Sequence, residues 1–315
     1  MIPKVYITDY IVKQDIEKKI LGKNYSSKKN KDVEVLLVWN QIINKNYLEQ
    51  FPNLKGIVRY GVGFDKIDKE SVKNKKLIVC NTPDYASDEV SDTALAYLLM
   101  ITRGTAKYNF YARKKFNQWK FNTTIKEIKR SNKITVGVIG AGNIGSKFIK
   151  KSFLCGFKTI YYDPYLKKNC KFGKRVSNIN SLISKSDIIS FHTPLTNKTL
   201  NMVDKKFIKK MKKGASIINT ARGKIISNLN LIYENLRSNK LFCVALDVLP
   251  FEPPKKDKLI NSWLKNNDIS SRIMINPHVS YYSVNSYEEC RTKASINAKK
   301  ILNGKKPENI IYDFR

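Results

Sequence analysis

Residues 134–145 read ITVGVIGAGNIG. A short apolar run enters Gly140-Ala141-Gly142-Asn143-Ile144-Gly145, and a helical pattern, SKFIKKSFL, follows. Between a strand and a helix each glycine has a physical reason. Gly140 permits a tight turn, Gly142 lets a pyrophosphate approach the backbone, and Gly145 lets helix and strand pack closely. The helix N-terminus then presents N–H groups and positive dipole to the phosphates. Gly142, Asn143, Ile144 and Gly145 are therefore candidate phosphate-binding residues. The next strand ends in Tyr161-Tyr162-Asp163. A carboxylate there accepts hydrogen bonds from ribose hydroxyls and repels an extra phosphate, which favours NAD over NADP. Lys167 and Lys168 nearby oppose that preference.

Working outward, β-rich segments alternate with helical ones, the pattern of an α/β protein with parallel sheets. Ile134 to Ile139, Thr159 to Tyr162, Ile188 to Phe191, Ser216 to Asn219, Val244 to Val248 and Ile273 to Ile275 make six strands of a doubly wound sheet. Lys4 to Thr8, Val33 to Val38, Lys55 to Val58 and Leu77 to Cys80 read as four strands of another. Ser87 to Arg103 reads as a long helix that Ser87 can cap, with acids near its start and Arg103 at its end. Ser283 to Leu302 reads as a final helix. Residues 105–133, with Trp119 and Phe121, read as a polar, basic linking arm.

The chain has 315 residues, which suggests two domains. It is 42% hydrophobic, enough for a sizeable core, and no apolar run nears the ~20 residues of a membrane span. The N-terminus shows no secretory pattern. Five scattered cysteines without a C-x-x-C pair argue against a zinc ribbon or disulfide scaffold and for a reducing cytoplasm. No metal site is expected. Lys and Arg (59) against Asp and Glu (26) leave a net charge of +33. The excess is mostly Lys, spread over every segment, and no arginine cluster alternates with aromatics. It reads as a solvated surface that attracts anionic small molecules, without specific nucleic-acid binding.

Three polar residues follow buried-looking strands of the second series. Arg222 follows SIINTA, Glu252 follows VALDV after a short loop, and His278 follows MINP. One crevice at the carboxyl edge of a parallel sheet could gather all three. A guanidinium binds a carboxylate bidentately and polarises a carbonyl, an imidazole exchanges a proton near neutral pH, and a glutamate orients the ring. His192, closing the strand DIISFH, is better placed to contact a cofactor than to protonate a substrate.

Taken together, RYGVGFDKID, VCNTPDYASDEVSDTALAYLL, VGVIGAGNIG, YYDPY, HTPLT, INTARG, ALDVLPFEPP and NPHVSYYS resemble the D-isomer-specific 2-hydroxyacid dehydrogenase family, over nearly the whole chain. That family includes phosphoglycerate, glycerate and D-lactate dehydrogenases and the C-terminal-binding-protein corepressors. The resemblance implies Arg222, Glu252 and His278 as the catalytic triad. It implies that Asp247 holds the nicotinamide carboxamide, that Thr193, Pro194, Thr220 and Ala221 line the cofactor, and that the Val62 and Gly63 amides meet the substrate carboxylate. Arg59 stands where some relatives reach the far end of the substrate.

The fold it implies is two doubly wound parallel-sheet domains. A Rossmann NAD-binding domain, 104–275, is inserted in a discontinuous flavodoxin-like substrate domain, 1–103 with 276–315. Residues near 105–130 would form an arm embracing a second subunit, and a cleft would close over the ligand. The expected activity is NAD-dependent interconversion of a D-2-hydroxy acid and its 2-keto acid, with 3-phosphoglycerate or glycerate/hydroxypyruvate as candidates. The alternative is an NAD-sensing, corepressor-like scaffold with little turnover. Ser227-Asn228 replace the family's acidic pair, and Ser227 is expected to cap the next helix. Val279-Ser280-Tyr281-Tyr282-Ser283 replace the usual Gly-rich continuation, which speaks against phosphoglycerate, and no appended regulatory domain is expected.

Overall fold

The computed structural model describes residues 2–9, 11–114, 125–265 and 267–315. Trp119 and Phe121 of the expected arm lie outside them. The first elements are β1 (Val5–Ile7), α1 (Asp15–Leu21), β2 (Tyr25–Ser26), β3 (Val35–Val38), α2 (Lys45–Leu48), β4 (Gly56–Arg59), α3 (Lys69–Asn74) and β5 (Ile78–Cys80). Then come α4 (Ser87–Arg103), α5 (Thr105–Lys114), β6 (Thr135–Ile139), α6 (Asn143–Leu154), β7 (Lys158–Tyr162), β8 (Lys174–Arg175), α7 (Ile179–Lys185) and β9 (Ile188–Phe191). The last are α8 (Lys205–Lys210), β10 (Ala215–Asn219), α9 (Leu229–Arg237), β11 (Leu241–Leu246), α10 (Lys258–Leu264), β12 (Ile273–Ile275), α11 (Val284–Leu302) and β13 (Ile310–Asp313).

By packing, these elements form two compact units, residues 1–86 with 282–315 and residues 87–281. The break falls before α4, where the sequence reading put it after. The reason is the stripe Ala94, Tyr97, Leu98 and Ile101, which buries with Val136, Val138, Phe148 and Ile218. Ser87, read as the cap of α4, is its first helical residue and is buried.

In the unit 87–281 the sheet order is β12-β11-β10-β9-β6-β7-β8. Every pairing is parallel. Strands buried on both faces explain the unbroken apolar runs of the sequence. Helices α4 and α6 cover one face, and α7 to α10 the other. The chain reverses direction of travel between β6 and β9, so a crevice opens at their carboxyl ends. The strand expected over 244–248 ends at Leu246, which leaves Asp247 just beyond it. Ser227 does not cap α9. Asn228 does, its side chain accepting from Leu231 N, while the Ser227 hydroxyl bonds back to Lys224 O.

The unit 1–86 with 282–315 has the sheet order β13-β5-β4-β3-β1-β2, parallel except for the β13–β5 pair. The two edge strands, β2 and β13, are additions to the four read from sequence. Helix α11 opens at the expected Ser283, whose side chain forms a capping box with Ser286. A buried ion pair joins this helix to α1. Arg291 donates to both carboxylate oxygens of Glu17 at 3.0 and 2.5 Å, and Tyr60 OH donates to Glu17 at 2.9 Å. A buried carboxylate needs such partners.

Candidate active site in the unit 87–281

The glycine loop follows β6, at the sheet's reversal point. Gly140 has φ +91°, and a Cβ there would lie 2.5 Å from the His192 carbonyl oxygen. A Cβ on Gly145 would lie 2.1 Å from Gly140 O. These two glycines are compelled by the protein's own packing. Gly142 differs. It precedes the first turn of α6, and a Cβ on it would meet nothing within 4 Å. Its surface is kept bare toward open space, beside the first-turn amides of a twelve-residue helix.

Asp163, just past β7, braces this loop. Its carboxylate accepts from Ala141 N at 2.8 Å and Tyr165 N at 2.9 Å. It also lines an open groove of about 510 Å³ with Tyr162, Pro164, Arg175, Val176 and Ser177.

His192 is partly buried, and its Nδ1 is shielded from solvent. Its Nε2 is 2.8 Å from Ser190 Oγ, and its ring lies 4.9 Å from that of Phe148. Burial pushes its pKa down to about 3, so the ring is neutral. Its carbonyl and Cβ are the atoms that crowd Gly140 and Gly145. Beyond β9 and β10, the hydroxyls of Thr193 and Thr220 are buried with no partner among the described residues. Such groups call for a ligand's polar atoms. Pro194 O accepts from Thr199 Oγ1, and Ala221 N donates to Asn219 Oδ1. A bare glycine at a helix N-terminus, a carboxylate over a groove and two orphaned hydroxyls form a donor set that fits a dinucleotide.

Arg222, Glu252 and His278 stand on the loops after β10, β11 and β12. Gly223 joins the first two loops, since a Cβ there would lie 2.0 Å from the Leu249 carbonyl and 2.6 Å from Pro250 N. Asn219, fully buried, shapes the Arg222 turn by donating to Arg222 O at 2.9 Å. The Arg222 guanidinium donates to Ala221 O at 2.7 Å. Glu252 accepts from Leu249 N at 3.1 Å with Oε1 and pairs through Oε2 with His278 Nδ1 at 2.8 Å. That contact makes Nδ1 the donor and leaves Nε2 as the exchangeable position. His278 has φ +56°, a left-handed conformation uncommon outside glycine.

Asp247 holds that conformation. It is 2% exposed, its main-chain oxygen accepts from His278 N at 2.8 Å, and its carboxylate accepts from Val279 N and Ser280 N at 3.0 and 3.1 Å. Sequence reading did not find this role for Asp247, nor the buried Asn219. The one signal for the latter is a polar residue closing the apolar strand ASIIN.

Arg59, Val62 and Gly63 belong to the other unit, Arg59 closing β4 and Val62 and Gly63 on the loop after it. Neither the Val62 nor the Gly63 N–H has an acceptor among the described residues. The Arg59 guanidinium folds over Gly61, 3.2 Å from where a Cβ would sit.

The family description that matches, over residues 95–280, is "D-isomer specific 2-hydroxyacid dehydrogenase, NAD binding domain". The chain is 34% identical over 295 residues to D-3-phosphoglycerate dehydrogenase of Methanocaldococcus jannaschii, covering 92% of this chain but 54% of that protein. It is 34% identical over 224 residues to hydroxypyruvate reductase of Thermotoga maritima, covering 71% of each. Among solved structures, D-lactate dehydrogenase from Aquifex aeolicus, complexed with NAD and lactic acid, superposes with a TM-score of 0.83 at 26% identity, over 95% of both chains.

Proposed function

This chain belongs to the D-isomer-specific 2-hydroxyacid dehydrogenase family, and we propose that it interconverts a D-2-hydroxy acid and its 2-keto acid with NAD. The observation that carries the reading is the His278–Glu252 pair, whose Glu252 stands on a loop adjoining that of Arg222. NAD, when bound, exchanges a hydride with the substrate's C2.

The chain's own residues do the rest. Gly142, Asn143, Ile144 and Gly145 hold the pyrophosphate, Asp163 the adenosine ribose, and Thr193, Pro194, Thr220 and Ala221 the nicotinamide end. The ring of His192 backs the glycine loop. Arg222 draws the substrate carboxylate and polarises the keto oxygen. His278 Nε2 gives that oxygen its proton in reduction and takes it back in oxidation, while Glu252 fixes the tautomer. Asp247 is assigned to the nicotinamide carboxamide, as the resemblance implies, and its bonds from Val279 N and Ser280 N give it a second part, holding the His278 loop. In the unit 1–86 with 282–315, the open Val62 and Gly63 amides form an anion-receiving loop that we assign to the substrate carboxylate, with Arg59 toward the far end.

Glycerate/hydroxypyruvate is the preferred pair and 3-phosphoglycerate the second. Unit 87–281 is read as the NAD-binding domain and the other as the substrate domain. Five cysteines free of disulfides support a cytoplasmic setting, and a homodimer is the assembly the family implies. Among the described residues no helix is long and apolar enough to cross a membrane.

A panel of glyoxylate, hydroxypyruvate, phosphohydroxypyruvate, pyruvate and 2-ketoglutarate with NADH and NADPH tests this. Strongest turnover with hydroxypyruvate and NADH is expected. Activity confined to the phosphorylated acid restores phosphoglycerate, and no turnover with any member favours the scaffold.

A further inference from the structure

The loop Arg59–Gly63 is gripped from the end of β5 by two consecutive side chains. Thr82 is fully buried. Its hydroxyl oxygen accepts from Gly61 N at 2.6 Å, lies 3.3 Å from Arg59 O and contacts Cys290 Sγ of α11 at 3.2 Å. Burial pushes the Cys290 thiol up to about 11, so it keeps its proton. One arrangement satisfies every group: Gly61 N–H and Cys290 S–H donate to the oxygen, and the hydroxyl proton goes to Arg59 O. The Thr82 N–H also donates to Gly61 O at 3.1 Å, so Gly61 is held through both its main-chain polar groups. Asn81 Nδ2 donates to Val62 O at 2.8 Å.

The loop needs this restraint. Gly61 has φ +119°, open only to glycine, and glycine is the residue with most freedom to leave it. Tyr60, tied to Glu17 through its hydroxyl and to Val38 O through its N–H, fixes the loop's entry, and Asn81 and Thr82 hold Val62 and Gly61 beyond it.

We propose that Thr82 is a positioning residue: its hydroxyl, backed by Cys290, holds Arg59 and Gly61 so that the Val62 and Gly63 N–H groups stay presented to a carboxylate. This rests on the assignment of that loop to the substrate carboxylate. Thr82 acts before any ligand arrives, by lowering the ordering cost of binding. Its loss is therefore felt in substrate affinity rather than in the chemical step.

The test compares the full chain with Thr82→Val, which removes the hydroxyl at nearly constant volume, and Thr82→Ser, which keeps it. Amide hydrogen exchange over residues 57–66 is read beside KM for hydroxypyruvate, kcat, and NADH affinity by fluorescence. Thr82→Val is expected to speed exchange at residues 61–63 and raise KM roughly tenfold, with kcat and NADH affinity within about twofold. Thr82→Ser is expected to restore both. Unchanged exchange in Thr82→Val, or Thr82→Ser behaving like Thr82→Val, overturns the proposal. Faster exchange with unchanged KM overturns it through the loop assignment. If the wild type reduces no keto acid, the parent reading fails while the exchange comparison still decides the clamp. Should Thr82→Val not fold, Asn81→Ala, which frees only Val62 O, is read the same way, and an unchanged KM and exchange there count against the clamp.

Discussion

Glu252 Oε2 lies 2.8 Å from His278 Nδ1, while its other oxygen accepts from Leu249 N at 3.1 Å. The carboxylate is thus anchored to its own loop at one end and to the imidazole at the other. Glu252→Gln has one carbonyl oxygen for two donors, so either Leu249 N or the imidazole loses its acceptor. Steady-state kinetics is expected to show kcat reduced ~10- to 100-fold with NADH affinity unchanged. An unaltered kcat would show that the ring needs no such orientation.

Asp247→Asn disturbs the same histidine from behind. An amide presents one acceptor and one N–H₂ donor where Val279 N and Ser280 N now both meet a buried carboxylate. We expect a loss of about 1–3 kcal/mol in denaturant unfolding, together with a lower kcat. Retained stability with intact turnover would mean that the left-handed turn at His278 holds without Asp247.

The three glycines of the loop separate packing from ligand binding. Gly142→Ala adds a methyl into open space, so thermal stability should be unchanged while NADH affinity, read by fluorescence titration, falls at least ~10-fold. Gly145→Ala sets that methyl against Gly140 O and should cost stability whether or not NADH is present. The reverse pattern would place the pyrophosphate elsewhere.

Much of this was legible because strands buried on both faces write themselves as unbroken apolar runs, and the six-strand series around ITVGVI shows it. The glycine loop and the residues Arg222, Glu252 and His278 stood out by following such runs. Edge strands such as Tyr25–Ser26 are too short to leave a pattern. The stripe of α4 announces a buried face but not which sheet will bury it. The cap of α9 went to Asn228 because neighbouring Ser and Asn are equal candidates in sequence. The roles of Asn81, Thr82 and Asp247 depend on main-chain groups far along the chain, which local composition does not encode.

His192 supplies a pH dependence. Its folded pKa, about 3, lies below the ordinary 6.5, so between those values the unfolded chain binds more protons than the folded one. The stabilising effect is fully present above pH 6.5 and is lost as pH falls from there toward 3. Near pH 5, His192→Asn should flatten the slope of unfolding free energy against pH by about one proton, ~1.4 kcal/mol per pH unit. An identical slope in the variant would mean that the ring takes up a proton in the fold.

The most direct test of the account is single-turnover keto-acid reduction by His278→Asn, measured together with NADH binding. Asparagine tolerates the left-handed backbone of this position, so the loop is kept and the proton donor alone is removed. The account predicts reduction slowed ~10²- to 10⁴-fold with NADH affinity within about twofold of the wild type. Reduction at the wild-type rate in that variant would contradict it.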